Sequence, residues 1–264
     1  MSYGWYVWSI AALFYAYEFF QRIAPSAMES GIVGSFHINA STFGLLGAVY
    51  FYAYAIGQIP AGILFDRYGV RRVFLAATAL VTVGSVIFSQ AHSLFYLELA
   101  RVFIGFGSAF GFIGCLKIAS IYFSSENFPL VVGLTNTLGI IGALFAQQPF
   151  TQLVENYEWR YSMEIAAILG LVLFVIFLVS IWDVHKIKFK NSKNKNYRNN
   201  ENEQFNFLAL KSVLSHPLTW LIAMIAALRV VPVISFGELW ALPFLRQGYG
   251  FSADDAATIT SFLF

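Results

Sequence analysis

Four cationic side chains, Arg22, Arg101, Lys117 and Arg229, and several acids, Glu18 among them, lie inside runs of sequence otherwise apolar enough to cross a membrane. A charge at the centre of a bilayer costs about 2.5 kcal/mol or more. Each must therefore find an opposite charge, a water-filled cavity, or a helix end that it can reach. Such residues are the first place to look for chemistry. Glu18 and Arg22 are spaced i,i+4 on one helix face, with Gln21 beside them. They can neutralise each other, or Arg22 can face a central cavity and bind an anionic group. Arg229 has no acid within one turn, its nearest being Glu238 more than two turns on, so it calls for an anion to visit it. Brought together, Arg22 and Arg229 would form a fork-shaped clamp for phosphate or carboxylate. R-x-x-P recurs at both sites, Arg22 to Pro25 and Arg229 to Pro232, as expected of two halves related by an internal repeat. Tyr50, Tyr52 and Tyr54 step by two and cannot all face one side of a helix. Tyr15 and Tyr50 are candidates to hydrogen-bond a substrate, with aromatic packing as the alternative.

The elements that must position these groups follow from length and hydropathy. The chain has 264 residues, 58% hydrophobic and only 11% charged, which excludes an ordinary soluble domain. A membrane helix needs about 20 mostly apolar residues. Spans are expected at Trp5–Met28, Ser41–Phe65, Val73–Ser89, Leu94–Tyr122, Phe128–Leu153, Tyr161–Trp182 and Pro217–Leu245, with an eighth opening near Ser252. The fold class is an all-α membrane protein: a six-helix bundle over 1–182, a basic linker over 183–211, and about one and a half helices of a second bundle over 212–264. With a cytoplasmic N-terminus, Arg67, Arg71, Arg72 and the linker lysines fall inside, while Arg160 and Arg246 fall outside. Only Met1 to Gly4 precede the first span, with no basic n-region and no cleavage site, so that span is read as a retained helix. The single cysteine, Cys115, excludes an intramolecular disulfide and reads as inert packing. No nucleophile elbow, phosphate loop or metal-ligand spacing is present in the sequence. An enzyme, a cofactor, a metal and a nucleic-acid partner are therefore not expected.

Two motifs carry a family resemblance. Gly62 to Arg72 reads G-I-L-F-D-R-Y-G-V-R-R, and Leu97 to Ala109 reads L-E-L-A-R-V-F-I-G-F-G-S-A. The first resembles the signature loop between the second and third helices of the major facilitator superfamily, with Phe65 and Val70 departing from the usual pattern. The second resembles that family's fourth-helix motif, with Ile104 where glutamine is common. The resemblance implies that Gly62, Asp66, Arg67, Gly69, Arg71, Arg72, Gly105 and Gly107 serve conformational change. In this reading Gly62 lets the second helix pack tightly and Asp66 pairs with arginines across a domain interface. It gives Arg101 a choice between holding the bundle and proton coupling; Glu18, Gln21 and Arg22 read E-x-x-Q-R, which resembles, with one acid replaced, the E-x-x-E-R element of proton-coupled peptide transporters and gives Glu18 a part in proton coupling. Lys117 is expected to snorkel to the cytoplasmic interface. Gly133, Gly139 and Gly142 only loosely resemble the glycine-rich fifth-helix motif, and should let helices approach closely. Trp159-Arg160 also recurs in the family, and is expected to act as an interfacial anchor.

The function implied is a secondary transporter of a small anionic or zwitterionic metabolite (an organic anion, an organophosphate or a short peptide). It would work by alternating access, coupled to protons or exchanging anions, in a bacterial inner membrane. Its partners are substrate, protons and the lipid bilayer, and a complete protein would be a monomer. The competing readings are a truncated remnant that does not transport, and a seven-helix receptor suggested by Asp66-Arg67-Tyr68. The receptor's triplet would end the third span, whereas here it ends the second.

Overall fold

A computed structural model describes residues 2–180 and 215–263. The linker, with its expected solvated stretch and surface helix, lies outside the described residues. Among the described residues there are helices and no strands.

The first span, α1 (Ser2–Ala27), continues into a short α2 (Glu29–Phe36) that stops at His37, a residue in the left-handed region. Asn39 starts the next helix as an N-cap, its Oδ1 accepting from the Thr42 backbone N–H at 2.9 Å. The second and third spans together make up α3 (Ala40–Ser89), two helices joined directly at Gly69, whose backbone is not helical. At φ 79°, ψ 163° Gly69 occupies a region that only glycine enters without strain. This explains why the loop expected at 66–72 shrinks to one residue. The fourth span is α4 (Leu94–Ser108) and α5 (Phe110–Tyr122), joined at Ala109. Further on, α6 (Phe128–Ala146) and α7 (Gln148–Ser180) cover the fifth and sixth spans. The reversal between these two lies at Glu158, again with positive φ (68°, ψ 160°). The fifth span thus runs beyond Leu153, and the sixth begins two residues before Tyr161. In the second part, α8 (Pro217–Pro232) leads into a π-helical stretch (Val233–Trp240), then α9 (Ala241–Tyr249) and α10 (Ala253–Ser261).

Among the described residues, four stretches are long and apolar enough to cross a membrane: Ala40–Ser89, Leu94–Tyr122, Phe128–Ser180 and Pro217–Tyr249. The first and third of these each hold two crossings, folded at Gly69 and Glu158. Rich in Trp and Tyr, α1 is not among them. It is instead the centre of the bundle, with Val7, Ala11 and Phe14 fully buried. Its packing is close because α6 offers no side chain at Gly142, where a Cβ would collide with the Ala16 carbonyl oxygen. Gly105 of α4 lies in the same way on the Tyr50 carbonyl of α3. Phe14, Phe74 and Phe177 then join the first, third and sixth spans, with Phe74 and Phe177 stacked at 5.0 Å.

The two reversals resemble each other. Asp66-Arg67-Tyr68-Gly69-Val70-Arg71 and Glu155-Asn156-Tyr157-Glu158-Trp159-Arg160 share an acid, a tyrosine, a positive-φ residue, a buried apolar residue and an arginine, in that order. Each arginine donates through Nη2 to a carbonyl at the far end of the other's helix: Arg71 to Leu178 at 2.9 Å, and Arg160 to Ala91 at 3.1 Å. Each arginine thus ties its own reversal to the opposite end of the other span. Two antiparallel spans tied reciprocally in this way are related by an approximate two-fold axis perpendicular to them.

Candidate functional site

The centre of the molecule is a buried polar cluster on α1. Arg22 Nη2 lies 2.8 Å from Glu238 Oε1, and both side chains are almost fully buried. Glu238 comes from the π-helical stretch, a form of helix found mostly as short insertions at functional sites. The guanidinium also stacks 3.8 Å above the Phe19 ring. Glu18, fully buried, takes a different partner: its Oε1 accepts from the Tyr50 hydroxyl at 3.3 Å. Glu18 and Arg22 therefore form no direct ion pair, one of the two arrangements open to them, though they lie within electrostatic reach of each other. The arginine's ion-pair partner arrives from the seventh span, and Glu18 pairs with a phenol. Three atoms of this cluster, Glu18 Oε2, Arg22 Nε and Glu238 Oε2, have no hydrogen-bond partner among the described residues. Buried polar atoms are nearly always bonded, so three orphans in one place mark a site with capacity for a further polar group or a proton. Tyr50 stacks on Tyr54, with centroids 6.0 Å apart, and Tyr52 is 67% exposed, as a two-residue step on a helix demands.

The other sequence candidates separate into distinct roles. Gln21 is turned into the bundle, its Nε2 donating to Tyr17 Oη at 2.6 Å and Ser85 Oγ at 2.8 Å. Tyr15 packs against Phe19, Phe112 and Gly139. Arg101 is buried and donates to two backbone carbonyls, Leu46 at 3.2 Å and Gln21 at 3.1 Å, while lying 4.4 Å over the Tyr50 ring. It bridges the first, second and fourth spans. Gly107 rests on Val81 and on the Ala77 carbonyl. Arg229 is exposed on α8, a helix that buries none of its residues. The structure therefore does not bring Arg229 to Arg22, whose counter-charge is Glu238.

At the signature loop, Asp66 pairs with Lys117 of the fourth span, so Lys117 does not simply snorkel. Arg67 lies 5.3 Å over the Tyr68 ring, and Arg72 is exposed. Gly62 is exposed with nothing within 4 Å of its Cβ position, so it provides no close helix contact here, and Gly133 is equally open. Trp159 is a buried wedge and not an interfacial anchor: its Nε1 donates to Ser35 Oγ at 3.1 Å and its ring meets Phe88.

Residues 215–263 meet the bundle at mid-span and at the end that carries Trp159. Ser26 donates to the Leu239 carbonyl at 3.0 Å, Gln247 Nε2 lies 3.2 Å from both oxygens of Glu29, and Arg246 faces Glu155 at 3.9 Å. Gln152 donates to Asp254 at 2.8 Å, and Thr260 to the buried Gln147 at 2.8 Å. Glu238 and Gln147 escaped the sequence reading because their partners lie more than 100 residues away. Only their polarity inside apolar segments hinted at a role.

Comparison with known proteins gives a consistent picture. The family model described as Major Facilitator Superfamily matches residues 7–264. The chain is 29% identical over 177 residues to the uncharacterized transporter YybO of Bacillus subtilis (strain 168), covering 66% of this chain and 40% of that protein. It is 24% identical over 255 residues to the nitrite extrusion protein of the same organism, covering 96% of this chain and 60% of that protein. The chain thus spans about half the length of these relatives. Its fold is similar to a partially occluded inward-open structure of the xylose transporter XylE from E. coli, with TM-score 0.74 and 14% identity, covering 99% of this chain and 67% of that one. A bacterial homolog of the human lysosomal transporter Spinster, inward-facing and occupied, gives TM-score 0.72 at 18% identity, covering 99% of this chain and 59% of that one.

Proposed function

The chain belongs to the Major Facilitator Superfamily, and from that premise we propose that it serves a secondary transporter of a small anionic or zwitterionic metabolite, working by alternating access. The loop bearing Asp66 faces the cytoplasm, and the end bearing Trp159 faces outward. The observation that carries the substrate class is the buried Arg22–Glu238 pair, with Glu18 a second acid beside it. A buried guanidinium must keep one negative partner, because an uncompensated charge there is strongly destabilising. Either Glu238 supplies that charge, or a substrate anion does while Glu238 takes up a proton. Anion and proton then enter the site together, so one arginine couples the two. Tyr15, Tyr50 and Tyr54 lie within electrostatic reach of Glu18 and Arg22, and supply hydroxyls to orient a ligand.

Relatives suggest the probes. One is a probable galactarate/D-glucarate transporter of Escherichia coli (strain K12), 23% identical over 198 residues. In proteoliposomes, uptake of glucarate and of nitrite is measured against xylose as a neutral control. Arg22→Gln is expected to lower anion uptake more than tenfold. Glu238→Gln is expected to keep anion exchange while losing the response to a proton gradient. Wild-type anion uptake by Arg22→Gln would sink the assignment, as would gradient-driven uptake by Glu238→Gln.

A further inference from the structure

The two reversals share a pattern and reciprocal arginine ties, yet their acids have different partners. Asp66 pairs within the bundle, to Lys117 of the fourth span. Glu155 pairs outside it, to Arg246 at the end of the seventh span. The contact at Glu155 therefore crosses between the two parts of the molecule that alternating access must separate. Two further contacts lie beside it. Gln152, one turn before Glu155, holds Asp254, and Gln247, next to Arg246, holds Glu29.

We infer that the turn at Tyr157–Arg160 is an external counterpart of the signature loop, and that Glu155 and Arg246 act as positioning residues that hold the outer side of the transport route closed. The reciprocal ties make the turn rigid. Arg160 is fixed to the Ala91 carbonyl and lies 4.2 Å over the Trp159 ring, and Trp159 is wedged against Gly31 and Phe88. An acid two residues before Tyr157 thus starts from a fixed base, and its partner is the moving element. The pair is partly exposed, with side-chain exposures of 45% for Glu155 and 31% for Arg246, so it can break without stranding a buried charge. That suits a contact made and released in each cycle. By contrast, the buried Arg22–Glu238 pair beneath it needs a replacement partner before it can open. The outer closure is therefore built in two layers, one released by water and one released by ligand. This inference rests on the alternating-access reading above.

The test reads access, not uptake. Ser26, 1% exposed beneath Leu239, is changed to Cys in a Cys115→Ser background, and labelling by a membrane-impermeant maleimide is timed from the outside. Glu155→Gln and Arg246→Gln are each expected to speed labelling about two- to fivefold, the range of a surface ion pair. The swap Glu155→Arg with Arg246→Glu is expected to return it toward the starting rate, and Glu126→Gln, at the opposite end, to leave it unchanged. Unaltered labelling in both single variants, or a swap no slower than they are, would overturn the proposal. A variant that fails to fold would lose the slow reference rate in the swap as well, and this separates misfolding from opening. Since no substrate is used, failure here leaves the Arg22 result standing, and failure of uptake leaves this one.

Discussion

At the scale of single residues, the positions that tolerate least are those where a backbone lies directly against a glycine. A methyl group at Gly142 would collide with the Ala16 carbonyl, whereas at Gly62 it would meet nothing within 4 Å. Both are helical, so the intrinsic preference for alanine is the same and only the surroundings differ. Gly142→Ala is expected to cost roughly 1–3 kcal/mol through forced separation of α1 and α6. Gly62→Ala is expected to be neutral or to stabilise by up to about 1 kcal/mol. Thermal unfolding in detergent checks both, and equal shifts would contradict the packing account. The sequence was an uneven guide here. Gly69 could be read, because its motif places a glycine at the turn and the turn needs positive φ. The role of Gly62 could not, because family position says nothing of what lies opposite it in this chain. Arg229 was misplaced beside Arg22 for a related reason: R-x-x-P marks equivalent positions along two helices but does not set how each helix is rotated or packed.

At the scale of elements, Arg101 helps fix how three spans meet. Its donors reach the Leu46 carbonyl on the second span and the Gln21 carbonyl on the first, and both bonds are buried. Arg101→Ala would leave those carbonyls unpaired and open a cavity, and is expected to cost roughly 3 kcal/mol or more. Arg101→Lys keeps the charge but lacks the planar fork, and is expected to recover less than half of that loss. Full rescue by lysine in a melting experiment would show that charge alone matters. The spans themselves were legible from hydropathy, since a 20-residue apolar run has few alternatives. Their joints were less so. The extension of the fifth span to Tyr157 passes through Glu155 and Asn156, polar residues that looked like a loop. The repeat between residues 66–71 and 155–160 was present in the sequence. It is readable only with the order of elements inverted, whereas R-x-x-P marks a parallel repeat.

At the scale of the whole molecule, the contacts between residues 2–180 and 215–263 define one conformational state. Glu29 and Gln247 touch, Glu155 and Arg246 pair, and Gln152 and Asp254 are bonded, all at the end that carries Trp159. Cysteines replacing Glu29 and Gln247, in a Cys115→Ser background, are expected to be joined by a short bifunctional reagent in most molecules. Addition of a transported anion with protons is expected to lower that yield. No cross-linking under any condition would mean that this contact is not populated. The overall architecture followed from composition and two motifs. The state did not, because it depends on pairings such as Arg22 with Glu238 that span more than 200 residues of sequence.

The π-helical stretch Val233–Trp240 holds more residues per turn than the α-helices on either side. That surplus works as stored phase. Were the stretch to tighten to the α-helical pitch, every residue beyond it would rotate by up to about 100° per residue of surplus. Glu238 would then swing off the face that meets Arg22 with little movement of the helix axis. The central ion pair is therefore sensitive to winding as well as to distance. A single-residue deletion between Val233 and Ser235, which removes that surplus, is expected to break it.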